Sequence, residues 1–150
     1  MNSPSAYVVD SSVAVKWFAD EGGPEQIKAD QLLDALGHGE CTLKAPELLL
    51  FEVANALMMS YKYSGAEVTD SLAFLRKLKI EVKSLNWPTF TRAVQIASNC
   101  GATIYDSYFL ALAIETDSML VTADEVFLRK ARDWPEIVSL RLLDLNRQTP

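Results

Sequence analysis

Apolar residues alternate between two rhythms along this chain. The first is a short continuous run. Ala6-Tyr7-Val8-Val9 leads straight into Asp10 and is too apolar to be half exposed, which predicts a buried parallel strand. Cys41 to Ala45, Ile80 to Leu85, Met119 to Thr122 and Ile137 to Leu140 read as further strands. The second rhythm has helical spacing and fills the gaps between these runs. Ser11-Ser12 offers an N-cap to a short helix over Val13 to Phe18, and Glu25 to Leu36 repeats through Ile27, Leu32, Leu33 and Leu36. Pro46 and Glu47 open a long helix that runs to about Tyr63 and is closed by Gly65. The next helix carries Val68, Leu72, Leu75 and Leu78. Trp87-Pro88 starts another, with Phe90, Ala93, Val94 and Ala97 on one face and Gly101 at its end. Asp106 to Glu115 and Asp124 to Arg132 are the last two.

Strands that alternate with helices across a whole chain predict an α/β domain. Three layers are expected, with a central, mainly parallel β-sheet, helices on both faces and right-handed crossovers. A length of 150 residues suits one domain, 1–150, and 49 % apolar content suffices for one core. In such sheets function collects beyond the carboxyl ends of the strands.

Composition narrows the chemistry. The net charge of −6 excludes a broad basic face for nucleic acid, so an RNA partner requires that the acids be concentrated and neutralised. Two bound divalent cations would offset four of those charges. Cys41 and Cys100 form neither a metal pattern nor a disulfide framework, and read as reduced core residues. The one histidine, His38, sits between two glycines in a turn, which leaves no Ser-His-Asp or Cys-His mechanism. The apolar stretch Ala6 to Val9 is too short for a signal peptide. No window offers the ~18 uncharged apolar residues that a membrane span needs. A soluble cytoplasmic protein without membrane contact is expected.

Four acids stand where acids are costly. Asp10 and Asp124 fall at strand carboxyl ends, Glu52 is embedded in Leu48-Leu49-Leu50-Phe51-Glu52-Val53-Ala54, and Asp106 leads a helix whose Phe109, Leu110 and Ala113 face the core. A buried carboxylate needs a cation or hydrogen bonds. Taken singly, each aspartate reads more readily as a helix cap than as a ligand, and Glu52 as a group on its helix's solvated edge. Taken together they fit one topology, and no matching set of Lys or Arg lies beside them. Clustered hard carboxylates select Mg²⁺ or Mn²⁺. Such ions activate water and stabilise a leaving oxygen in phosphodiester hydrolysis without histidine or cysteine. A phosphotransferase with an aspartyl nucleophile typically carries a second acid two residues after the first, and that position here is Ser12.

These residues carry a resemblance. Val8 to Phe18, with Asp10 and Ser12, resembles the opening motif of PIN domains, particularly the VapC-type toxins of toxin–antitoxin pairs. Glu52, Tyr105-Asp106-Ser107-Tyr108-Phe109-Leu110-Ala111-Leu112-Ala113, and Leu120 to Phe127 resemble the family's later acidic motifs in order and spacing. The resemblance implies a PIN-like fold and an endoribonuclease dependent on Mg²⁺ or Mn²⁺. Asp10 and Asp106 would be its principal metal ligands, Asp124 and Glu52 would complete the site, and Thr122 and Ser12 would be supporting hydroxyls. It further implies an RNA substrate, a homodimer and a cognate antitoxin protein. A PIN nuclease of RNA processing or decay outside such a pair, and a non-catalytic PIN-like binding scaffold, are the alternatives. One further expectation comes from the residues themselves. Met58, Met59, Tyr61 and Tyr63, with Trp17 and Phe18, crowd two helix ends and suggest a surface for such partners.

Overall fold

The computed structural model describes residues 3–146. Its strands are β1 (Ser5–Val9), β2 (Cys41–Pro46), β3 (Ile80–Lys83), β4 (Met119–Thr122) and β5 (Ile137–Ser139). They form one sheet in the order β3-β2-β1-β4-β5, and every neighbouring pair is parallel. Val8 and Val9 point to opposite faces of β1, as neighbours in a strand must, and both are fully buried. Both faces of the sheet are therefore covered, which gives the three-layer α/β/α arrangement that the apolar runs predict.

The helices are α1 (Ser11–Ala14), α2 (Gly23–Gly37), α3 (Leu48–Met59), α4 (Gly65–Lys77), α5 (Trp87–Cys100), α6 (Ile104–Glu115) and α7 (Glu125–Lys130). Helix α6 packs on β1, β2 and β4, with Ser107 to Ala113 all buried. Phe109, Phe127, Leu43, Leu120 and Leu140 are among the core's largest buried side chains. Gly101 closes α5 in the left-handed conformation, with φ of 71°, a cap that a side-chain Cβ disfavours. Among the described residues, no helix is long and apolar enough to cross a membrane.

The structure corrects several boundaries. Asp10, not Ser11 or Ser12, is the N-cap of α1, because its carboxylate accepts from the Ser12 amide. The helix gives way after Ala14 to a 3-10 turn over Val15–Trp17. Helix α3 stops at Met59, short of Tyr63, because both tyrosines after it are held by polar partners. The Tyr61 hydroxyl bonds Glu21, and the Tyr63 hydroxyl bonds the Phe18 carbonyl at 2.5 Å. Gly65 closes nothing. It opens α4, whose true signal is the capping box of Ser64 and Glu67. On α5 the buried stripe is Thr89, Ala93 and Ile96, so Val94 is exposed, and on α2 Ile27 is exposed. Thr103 caps α6, which puts Asp106 inside its first turn.

Candidate active site

Strand β1 delivers Asp10 to the carboxyl edge of the sheet, where its side chain is 6 % exposed. Both carboxylate oxygens are engaged. Oδ1 accepts from the Ser12 amide at 3.1 Å and from Ser12 Oγ, and Oδ2 accepts from Thr122 Oγ1. Burial nonetheless outweighs these bonds and, helped slightly by the charge on Asp106, pushes the Asp10 carboxyl up to about 6. The two hydroxyls are themselves fixed from the next strand. Ser12 Oγ accepts from the Ala123 amide at 2.8 Å, and Thr122 Oγ1 accepts from the Asp124 amide at 3.1 Å.

Glu52 projects from α3 and is half-buried. Burial pushes it up to about 7, the charges of Asp10 and Asp106 add to that, and a hydrogen bond with the Ser11 side chain opposes it. Asp106, half-buried on α6, is also raised by burial and by the charge of Asp124. Its own amide donates to Thr103 Oγ1 at 3.0 Å, the bond that caps α6. Asp124 caps α7 through a bond from the Phe127 amide at 3.0 Å. The four acids thus form one electrostatically linked series, Glu52 to Asp10 to Asp106 to Asp124. No ion pair among the described residues touches any of them. An opposing charge, Lys130, lowers Asp106 without pairing with it, and its ammonium donates to the Gly101 carbonyl at 3.0 Å.

All six residues expected from the sequence therefore gather at one edge of the sheet. Three more contribute. Thr103, passed over in starting the helix at Asp106, is a residue type that favours N-caps, Ser11 adjoins a motif, and Lys130 carries no sequence signal because it lies far along the chain from Asp106. Among the described residues, no three His, Cys, Asp or Glu side chains stand close enough to enclose one cation together. The donor set is entirely oxygen. An ion bound here would keep several waters, as Mg²⁺ does when one or two carboxylates hold it.

An all-parallel α/β sheet with an acid cluster outside its strand carboxyl ends defines a class of domain in which the topology itself builds the site. The family follows from comparison. The model of the PIN domain matches residues 7–133, and the chain belongs to that family. The fold is similar to a toxin-antitoxin complex from Klebsiella pneumoniae at 15 % identity and a TM-score of 0.67, covering 89 % of this chain and 97 % of that one. It is also similar to VapBC2 from Rickettsia felis bound to a DNA fragment from their promoter, at 12 % identity and a TM-score of 0.67, covering 89 % and 96 %. FitAcB from Neisseria gonorrhoeae gives 14 % identity and a TM-score of 0.66, covering 91 % and 99 %. No curated protein matches by sequence.

Proposed function

We propose that this chain is a metal-dependent endoribonuclease and the toxin of a type II toxin–antitoxin pair, with its active site at Asp10, Glu52, Asp106 and Asp124. The observation that carries the reading is uncompensated negative charge. Asp10 and Glu52 are pushed up to about 6 and about 7, Asp106 is raised as well, and none of the four has an ion-pair partner. A fold does not bring charged groups together at such cost without something that neutralises them.

The all-oxygen donors suit a hydrated Mg²⁺ or Mn²⁺, of which Asp10 and Asp106 would be the principal ligands. Asp124 and Glu52 would complete the set through the ion's waters, since no three of these side chains stand close enough to enclose it directly among the described residues. A cation held there supplies an activated water and stabilises the leaving oxygen of a phosphodiester. The chain's own groups do the rest. Thr122 and Ser12 fix the Asp10 carboxylate by their hydroxyls, so its orientation is set in advance. Thr103 fixes the first turn of α6 and with it Asp106. Glu52 reaches the same cluster from α3, where the charges of Asp10 and Asp106 act on it and a hydrogen bond ties it to the Ser11 side chain.

Membership of the PIN-domain family supports nuclease chemistry, and the likeness to a toxin-antitoxin complex supports an antitoxin partner. Exposed Met58, Met59 and Phe74 offer that partner an apolar surface. The active form is a homodimer in the cytoplasm. Cleavage of single-stranded RNA tests the proposal. The purified protein cuts with Mg²⁺ or Mn²⁺, EDTA stops it, and Asp10→Asn or Asp106→Asn removes it. Wild-type rates in both variants would mean that the site is misassigned.

A further inference from the structure

The acid cluster occupies only half of the sheet's carboxyl edge. On the other half, at the ends of β2 and β3, lies an open groove of about 430 Å³. Its walls include Leu48, Leu85, Phe90, Ile104, Tyr105 and Tyr108, and they are mostly apolar. The rings are held in place. Phe90 packs against Tyr108 with ring centroids 6.1 Å apart, and the Asn86 amide donates to the Tyr108 hydroxyl at 3.2 Å. Tyr105, by contrast, is 62 % exposed.

The groove is continuous with the acids through the chain itself. Tyr105 directly precedes Asp106 on α6, and Leu48 lies one helical turn before Glu52 on α3. Strand β2, whose terminal Pro46 lines the groove, pairs with β1, whose end presents Asp10. Adjacent strands lie about 4.8 Å apart, so the groove begins roughly one strand's width from the buried carboxylate.

We infer that this groove holds one unpaired base of the RNA strand next to the phosphodiester at the acid cluster. The inference rests on the nuclease reading and adds a substrate subsite to it. Proteins that recognise single-stranded RNA splay bases out and stack them on aromatic side chains. Here an exposed tyrosine, next in the chain to Asp106, lines the same groove as two rings that are already packed on each other. The groove is of ligand size, and its polar groups lie among apolar walls. Glu47 and Lys83 line it as well, so the groove's margin offers both an acceptor and a donor to the polar edge of a base.

Binding and cleavage separate this inference from the nuclease reading. In an Asp10→Asn background, with Mg²⁺, the affinity for a fluorescein-labelled single-stranded RNA of mixed sequence is read by anisotropy. Tyr105→Ala weakens binding about fivefold to a hundredfold, the range expected for loss of one stacked base, and Tyr105→Phe restores it because the ring face returns. With Asp10 intact, Tyr105→Ala also flattens the nucleotide preference at the cut position. Equal affinity and an equal cut pattern in wild type and Tyr105→Ala would overturn the base subsite and leave the nuclease intact. If the parent chain cuts nothing yet binding still depends on the Tyr105 ring, the nuclease reading fails and the subsite stands. Light scattering on the same proteins covers the remaining outcome. Should Tyr105→Ala turn a dimer into a monomer and the RNA effect appear only with that change, the groove seats a second copy of this chain and the subsite is wrong.

Discussion

Thr122 Oγ1 donates a hydrogen bond to Asp10 Oδ2, joining residues 112 positions apart at the ends of neighbouring strands β4 and β1. The same hydroxyl accepts from the Asp124 amide. One fully buried side chain therefore positions the most buried acid of the site and the loop that carries its last acid.

Thr122→Val keeps the shape and removes the hydroxyl. It leaves a buried carboxylate oxygen and an amide short of a partner, at a cost of about 1–3 kcal/mol at neutral pH. Thr122→Ser keeps the hydroxyl and loses only a methyl group, so it should be the milder change and should retain cleavage. Urea unfolding ranks the three proteins. A Thr122→Val variant as stable as wild type would mean that the bond to Asp10 contributes nothing.

The raised carboxyls fix the sign of the pH dependence without metal. Asp10 rises from 3.8 to about 6 and Glu52 from 4.5 to about 7, so each binds its proton more tightly in the folded state. Neither destabilises the fold below about pH 4, where folded and unfolded forms are both protonated. The penalty grows as pH rises through that window and is complete above about 7. In EDTA the unfolding midpoint should therefore fall from pH 5 to pH 8, and saturating Mn²⁺ should flatten or reverse the trend. A midpoint in EDTA that climbs over this range would show that the acids are compensated within the fold.

Asp124 has two roles that substitutions separate. As N-cap of α7 it should tolerate Asn and lose about 1 kcal/mol on replacement by Ala. As a site acid it should lose most activity in both variants. If Asp124→Asn both folds and cuts as wild type does, Asp124 is a cap and no more.

Much of this was legible because buried parallel strands advertise themselves. Met119 to Thr122 needed no correction, and an acid just beyond such a run has few places to go except the site. The helices were less legible. Tyr61 and Tyr63 continue an apolar pattern, but hydrogen bonds to Glu21 and to the Phe18 carbonyl draw them out of α3. Those bonds also alter the expected partner surface. Trp17, Phe18, Tyr61 and Tyr63 pack against the core, and only Met58 and Met59 of that group are exposed. Phe74, which stacks edge-on against Phe18 at 5.8 Å, adds an aromatic ring that no spacing argument singled out.

That surface gives a prediction of its own. Met59→Asp together with Phe74→Asp should weaken binding of the proposed antitoxin by at least tenfold, while RNA cleavage in its absence stays unchanged. Tight binding that survives both changes would move the antitoxin to another face. Light scattering at tens of micromolar should separately give a dimer, and a strict monomer would contradict the proposed assembly.

The central claim is that the four acids act together on a divalent cation, and four melting curves test it without substrate. In EDTA, Asp10→Asn should melt at the wild-type temperature or above, because it removes a costly buried charge and Asn still accepts the Ser12 bonds. Its amide can also donate to Thr122 Oγ1 while that hydroxyl turns to Ser12 Oγ, 3.3 Å away. In Mn²⁺ the wild type should gain stability, by about 2.7 kcal/mol at a hundredfold excess over Kd, and the variant should lose most of that gain. Equal Mn²⁺ shifts in the two proteins would contradict the account, for Asp10 would then be a helix cap at a strand end and not a ligand.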